Sequence, residues 1–396
     1  MTWETVPLRD VVSSVATGFA SRDDLEQGVF QIRMNNLTSD SRWDWSKRRR
    51  VAPNPRQLKS SSVAAGDVIL NATNSPELVG KSGVMPALDE PAVISNHFLR
   101  LRTRREKLDA AYLQHWLLQQ FLAGVFRARA KAWINQATLD REVLMRMELP
   151  LPSLSEQRRI AAILDQADAL RRARRTASAT VSALRASHFL EKFGSEQETD
   201  RTITDVLACE PNAIRTGPFG SDLLHSEFLN EGIPVLGIDN VVQNRFEWAR
   251  PRFISEEKYD SLRRYTVRSG DVLISIMGTV GRCAVVPDYI GTAINTKHLC
   301  CITLDHTLCL PEYLHDYFLH HPTARQYLQR TSKGAIMDGL NMGIVKKLPL
   351  VLPSIERQKA YLSETAAIST MEARLASLDL DALFASLQHR AFRGEL

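Results

Sequence analysis

SLSEQRRIAAILDQADALRRARRTASATVSALRASHFLEKFG, residues 153–194, runs 41 residues with neither proline nor glycine before it reaches Gly194. Those two residues most disfavour a helix interior, so the stretch predicts one long helix. Pro152 keeps the preceding chain out of it. Ser153 and Glu156 have the spacing of a capping box, in which serine accepts a first-turn N–H and glutamate answers back. Alternate steps of three and four from Ile160 give Ile163, Ala167, Leu170, Arg174, Ala177, Val181, Leu184 and His188. A mainly apolar row over four heptads is the seam of a coiled coil. At 1.5 Å rise, such a helix is a rod of ~60 Å.

A second stretch, 354–393, carries the same register 201 residues later: Tyr361, Glu364, Ile368, Met371, Leu375, Leu378, Ala382, Ala385 and His389. It starts at Ser354 but has Arg357 where a capping box wants glutamate, so its cap is expected to be weaker. The shared register predicts that the two helices pair, and the small residues point to close approach. The alternative is that each packs on its own domain.

The offset of 201 extends beyond the helices. His97 matches His298, Tyr112-Leu113 matches Tyr313-Leu314, Leu139 matches Leu340, and Gln157 matches Gln358. Upstream the offset becomes 204: Gly66-Asp67-Val68 matches Gly270-Asp271-Val272, and Asn36 matches Asn240. A dozen collinear identities make the chain two copies of one unit, with a period too long for a solenoid. Twofold duplication makes the paired helices antiparallel. Val68-Ile69-Leu70 and Val272-Leu273-Ile274 read as buried strands after Gly-Asp turns, and the tyrosine segments as helices. The expected fold is α+β: globular domains at 1–152 and 195–352, with spacer helices at 153–194 and 353–396.

The chain has 396 residues, 44% hydrophobic and 24% charged. These values suit two or three globular domains and exclude wholesale disorder. No apolar run is long enough for a transmembrane helix, and the N-terminus lacks a leader pattern, so neither membrane nor export is expected. Cys209, Cys283, Cys300, Cys301 and Cys309 form no C-x-x-C pair, which fits the reduced cytosol better than a disulfide or zinc scaffold. Net charge is +5, unevenly spread. Residues 1–152 hold 21 Lys/Arg against 16 Asp/Glu, whereas 195–352 hold 16 against 19.

Catalytic signatures are missing. There is no Asn/Asp-Pro-Pro-aromatic string, no Gly-x-Gly-x-x-Gly after a strand, no His-Glu-x-x-His and no Gly-x-Ser-x-Gly. His320-His321 reads as a wet helix end rather than a metal pair, and Cys300-Cys301 as core. Basic clusters remain: Lys47, Arg48, Arg49 and Arg50 after two tryptophans; Arg127, Arg129 and Lys131; and Arg171, Arg172, Arg174 and Arg175. Such clusters suit a phosphate backbone. They also suit an ordinary solvated face, and the negative balance of the second half opposes a uniform reading.

Four motifs resemble the specificity subunit of type I restriction-modification enzymes. LPLPSLSEQRRIA, residues 149–161, is similar to the family's entry into its central helix, and FLEKFG, 189–194, to that helix's end. GPFGS, 217–221, resembles a motif near the start of its recognition domains, where the first copy has only Thr17-Gly18-Phe19. AFRGEL, 391–396, resembles its C-terminal signature.

The resemblance covers the whole chain. It implies that each globular domain reads half of a split target in double-stranded DNA. The antiparallel helices would space the halves, and two modification subunits would dock on them to methylate adenine. Restriction subunits would add translocation and cleavage. S-adenosylmethionine, ATP and magnesium would be held by those partners, with no catalytic residue and no metal in this chain. A self-contained DNA-modifying enzyme and a coiled-coil scaffold with protein-binding domains are the alternatives.

Candidate base readers are polar loop residues at matching places. They are Asn35, Asn36, Ser75 and Lys81 in the first copy, and Asp239, Asn240, Thr279 and Arg282 in the second. The loops before the helices add Lys131, Asn135 and Gln136, and Lys333, Asp338 and Asn341. Phe219 would support a loop or touch DNA. Each polar candidate could instead be a turn residue satisfying its own backbone.

Overall fold

The computed structural model describes residues 3–196, 200–332 and 339–396. The chain divides into one compact unit of 1–175 with 378–396, and another of 176–377. The division therefore falls inside the long helix and after Ser377, so each unit includes a share of the helices.

In the first unit an antiparallel sheet has the order Val12–Thr17, Phe98–Thr103, Val68–Asn71, Ser82–Val84. A smaller sheet pairs Val29–Ile32 in parallel with Ala92–Ile94 and antiparallel with Arg50–Val51. The second unit repeats this plan. Ile214–Thr216, Leu299–Ile302, Val272–Ser275 and Cys283–Val285 stand in the same order, and Ile233–Leu236 runs parallel to Ala293–Asn295.

The apolar runs read as strands are buried on both faces, as such runs should be. Val68 and Leu70 join Tyr112, Leu113 and Trp116 of the helix Ala110–Leu122, whereas Ile69 joins Phe30 and Ile94. Val272 and Ile274 likewise meet Tyr313 and Tyr317, and Leu273 meets Leu236.

Two glycines explain why the shorter motif of the first copy suffices. A Cβ on Gly18 would lie 1.9 Å from the carbonyl oxygen of Ile94, and one on Gly217 would lie 1.9 Å from that of Asn295. Only glycine lets the backbone pass there.

The first helix is Leu154–Phe193, as expected. Its capping box is only half made. Ser153 Oγ accepts from Glu156 N at 3.4 Å, but the glutamate turns to Arg159 at 2.7 and 2.8 Å. Ser354 accepts from Arg357 N at the same 3.4 Å, so the second cap is not the longer bond. The stronger fixture is glutamine. Gln157 Nε2 donates to the carbonyls of Lys107 and Pro152, both at 2.9 Å, and its Oε1 accepts from Asp109 N at 2.9 Å. Gln358 repeats all three bonds with Leu308, Pro353 and Leu310 at 2.9, 3.0 and 2.9 Å.

The second stretch is two helices, Ile355–Ser377 and Leu380–Ala391, rather than one. Asp379 ends the first and caps the second, accepting from Ala382 N at 2.9 Å. Asx-type capping interrupts a helix without proline or glycine.

Within each unit the helices pair antiparallel, since contacts advance along one as they recede along the other. In the first unit Arg159 reaches Leu396 O while Arg175 meets Asp381. In the second, Arg185 meets Glu372 and Lys192 meets Glu364.

The seam differs from the expected one. Ile160 and Val181 are buried, and Ala167, Ile163, Ala177, Ile368 and Leu375 are half-buried, while Tyr361 is a core residue. Leu170 and Leu184 are 64% and 56% exposed, and Met371, Leu378, Ala382 and Ala385 face solvent too. The buried positions are Leu164, Asp168, Arg171 and Arg185 instead. These charged residues take the seam because each is paired. Arg171 meets Asp168 at 2.6 Å and lies over the Phe384 ring at 4.3 Å. Arg185 Nε meets both Asp316 oxygens at 2.9 Å. Beyond Asp379 the register also shifts, so Phe384, Gln388 and Ala391 turn inward. The arginine cluster at 171–175 is thus spent on Asp168 and Asp381 rather than left for phosphate.

Candidate nucleic-acid interface

Three candidates are interior fixtures. Asn36 is fully buried: its Oδ1 accepts from Arg33 N at 2.9 Å, and its Nδ2 donates to Asp44 O and Lys47 O at 2.9 and 2.7 Å. Asn240 does the same between Gly237 N and Glu247 O, both at 2.8 Å. An Asn side chain offers donors and an acceptor at turn distance, which closes the loop and leaves nothing for a base. Lys81 is buried with its Nζ donating to Met34 O and Leu37 O at 3.1 and 2.6 Å, and burial lowers its pKa.

Other candidates are partly engaged. Asp239 holds Arg252 at 2.5 Å. Exposed Asn341 caps the helix Met342–Lys346 through Ile344 N at 2.9 Å. Arg48 is paired with Glu90 at 2.6 Å, and the Arg49 Nε donates to Asp23 O. Lys47, Thr279 and Phe219 are exposed and Arg282 is half-buried. Exposed Asn35 lines a cleft of about 430 Å³ with Gln31, Arg33, Ser95 and His97 as well as Phe19 and Met34. Lys333 and Asp338 lie outside the described residues.

The remaining candidates of the first unit are brought together. Lys131–Ala132 pairs with Ala137–Thr138, which pairs with Thr73–Asn74, so Lys131 shares a three-stranded sheet with the segment leading to Ser75, and Asn135 and Gln136 lie in the turn between its first two strands. Thr73 Oγ1 and Thr138 Oγ1 are 3.1 Å apart, and Trp133 N donates to Gln136 O at 2.7 Å to close the hairpin turn. Phe126, just before the hairpin, packs against Gly80, where a Cβ would lie 2.3 Å from its ring.

Sequence reasoning missed the tip of this hairpin. Trp133 is 62% exposed and Ile134 98%. The available signal was a Trp-Ile pair set between Lys131 and two amides, in a segment with no helical or strand period. Arg127, Arg129, Arg141 and Arg146, which flank it in the sequence, are exposed, as are the acids Glu142 and Glu148. Lys131 approaches Asp140 only at 4.0 Å.

The titratable groups elsewhere are built into the fold. Cys300 and Cys301 are buried in a strand, and burial pushes the Cys300 thiol up to about 12. His321 is not a wet helix end: it is fully buried, stacked on Tyr317 at 4.6 Å and bonded to Phe193 O at 3.1 Å. Among the described residues, no cluster of His, Cys, Asp or Glu could hold a metal, and no helix is long and apolar enough to cross a membrane.

Residues 1–178 match the family model described as the type I restriction modification DNA specificity domain. The EcoBI type I specificity subunit of Escherichia coli is 23% identical over 435 residues, covering 98% of this chain and 85% of that protein. Along nearly its whole length the chain is similar to a specificity subunit of a type I restriction-modification enzyme. A Methanocaldococcus jannaschii protein assigned as the MjaX specificity subunit is 27% identical over 173 residues, 42% of this chain and 40% of that one. The crystal structure of a type I S subunit from M. genitalium shares the specificity-subunit fold at a TM-score of 0.57. It is 12% identical and covers 99% of this chain and 96% of its own.

Proposed function

We propose that this chain is the DNA sequence-specificity subunit of a type I restriction-modification complex. Each globular part reads one half of a bipartite double-stranded target. The observation that carries the reading is a duplicated frame with unlike loops. The same glutamine, tyrosine and asparagine bonds recur in both units, while the two globular parts differ in charge balance and in the residues of their loops. One frame with two faces suits two different half-sites. Exposed cations hold the phosphates and make binding salt-sensitive. Loop amides and cations then read base edges.

The paired helices set the spacing and carry the modification subunits. Leu170 in the first unit and Leu184 in the second are large apolar side chains left in water, which suits cover by a partner. In this reading the chain contributes no catalytic residue. Adenine methylation, restriction, S-adenosylmethionine, ATP and magnesium belong to the partner subunits.

The test is a genome-wide map of methylated adenine in cells carrying this chain and its partners, against deletion of this chain alone. A split motif should vanish with the deletion; its persistence would overturn the reading. Replacing residues 1–152 with a relative's domain should change one half of the motif only.

A further inference from the structure

Water is a poor environment for the tip of the hairpin at 131–138. Ile134 is almost wholly exposed and Trp133 mostly so, although neither packs on the core. Exposing an isoleucine side chain forgoes ~1.5–3 kcal/mol of burial, so the pair is placed for a surface outside the described chain. The surroundings say which surface. Arg127, Arg129, Lys131, Arg141 and Arg146, all exposed, lie in or flank the hairpin in the sequence, against the acids Asp140, Glu142 and Glu148. Arg127 and Arg129 have no ion-pair partner among the described residues. Asn135 and Gln136, in the same turn, carry donors and acceptors free to reach outward. A cationic ribbon with an apolar point is complementary to a polyanion that has apolar faces within it, and an ordinary protein surface lacks that combination.

We infer that the Lys131–Thr138 hairpin is a wedge: it enters a groove of the DNA half-site and sets Ile134 and Trp133 against base faces, unstacking one step. A two-stranded ribbon is narrow enough to enter a groove. Apolar side chains inserted at a step kink DNA at a cost of a few kcal/mol per step, least at flexible pyrimidine–purine steps. The wedge therefore selects sequence by deformability at a position where no hydrogen bond is read. The sheet to Thr73–Asn74 and the Phe126–Gly80 contact hold its base still, so the tip can push rather than fold away. The inference rests on the DNA-reading function proposed above.

The experiment uses the full chain assembled with its modification subunits, and duplexes bearing the mapped target with 2-aminopurine at successive positions. The wild-type complex should raise fluorescence several-fold at one step in or beside a single half-site. The double change Trp133→Ser with Ile134→Ser should abolish that rise, weaken binding ~10-fold or more, and leave thermal unfolding unchanged because both side chains are exposed. Trp133→Phe with Ile134→Leu should restore the rise. Specific binding with no fluorescent step in the wild type would overturn the wedge and leave the DNA-reading function standing. Loss of modification subunits from the Ser variant would overturn it in favour of a protein contact. Absence of sequence-specific binding by the wild type would remove both.

Discussion

The two units agree where the frame closes and disagree beneath their matching helices. Tyr112 donates to Pro150 O at 2.8 Å and Tyr313 to Val351 O at 2.7 Å, 201 residues apart. Three residues further on the correspondence fails. His115 in the first unit meets Asp165 at 2.8 Å; its counterpart Asp316 meets Arg185, His315 and Tyr361. Tyr361 itself stands where the first unit has Ile160. Bonds to backbone survive duplication because every copy has the same backbone. Side-chain pairs survive only if both partners do, so the buried polar group has drifted together with its surroundings.

The largest expected effect tests that contrast. Asp316→Ala leaves Arg185 buried without its main counter-charge and should cost the second unit about 3–5 kcal/mol in denaturant unfolding. His115→Ala loses one bond to an aspartate that is largely in water and should cost ~1–3 kcal/mol. Equal costs would mean that the two sites are energetically the same despite their chemistry.

Next comes the seam. Leu164→Ala should cost ~2–5 kcal/mol, since Leu164 is buried with Ile160. Leu170→Asp should leave stability within ~0.5 kcal/mol and weaken association with modification subunits, read by co-purification. The reverse ranking would reinstate the regular three-and-four row. That row is legible as far as the length of the first helix and the antiparallel pairing within each unit. It fails at Leu170 and Leu184 because hydrophobicity alone does not decide burial, whereas Arg171 is buried against Asp168 and Phe384 and Arg185 against the distant Asp316. Nor could the break at Asp379 be read from proline or glycine; it depends on one side chain choosing to cap.

The repeat itself is legible in the sequence, where Gln157 and Gln358 match at the offset of 201. Replacing either with alanine strands a buried N–H and two carbonyls, at an expected ~2–3 kcal/mol, and the two costs should agree closely. Sites were less legible than frame. Asn36 and Asn240 matched across the repeat because both close the same turn, so the match that made them candidates was a mark of structure. Ile134 has no counterpart by identity and emerges only from its exposure. Residues that read different half-sites should differ between copies, and matching them selects against readers.

The smallest expected effect is a pH profile of the second unit. His315 is buried with Nδ1 2.8 Å from Asp316 and Nε2 2.8 Å from Asn244 O. Burial lowers its pKa, but the bond and charge of Asp316 outweigh that and raise it. A raised folded pKa gives stability that is complete below the unfolded value near 6.5 and is lost as pH rises through the folded one. His320 and His321 are shifted the other way, chiefly by burial, so their protonation in the unfolded chain removes stability as pH falls below about 6.5. Asp316 adds nothing in this range. Desolvation opposes its charge, yet the hydrogen bond from His315 and the charges of His315 and Arg185 hold it well below the usual carboxylate range. The second unit's urea midpoint should therefore peak near neutrality and decline on both sides. His315→Gln should lower the peak and flatten only the alkaline limb, and a profile whose alkaline limb survives that change would mean that the His315–Asp316 pair is not charged in the folded protein.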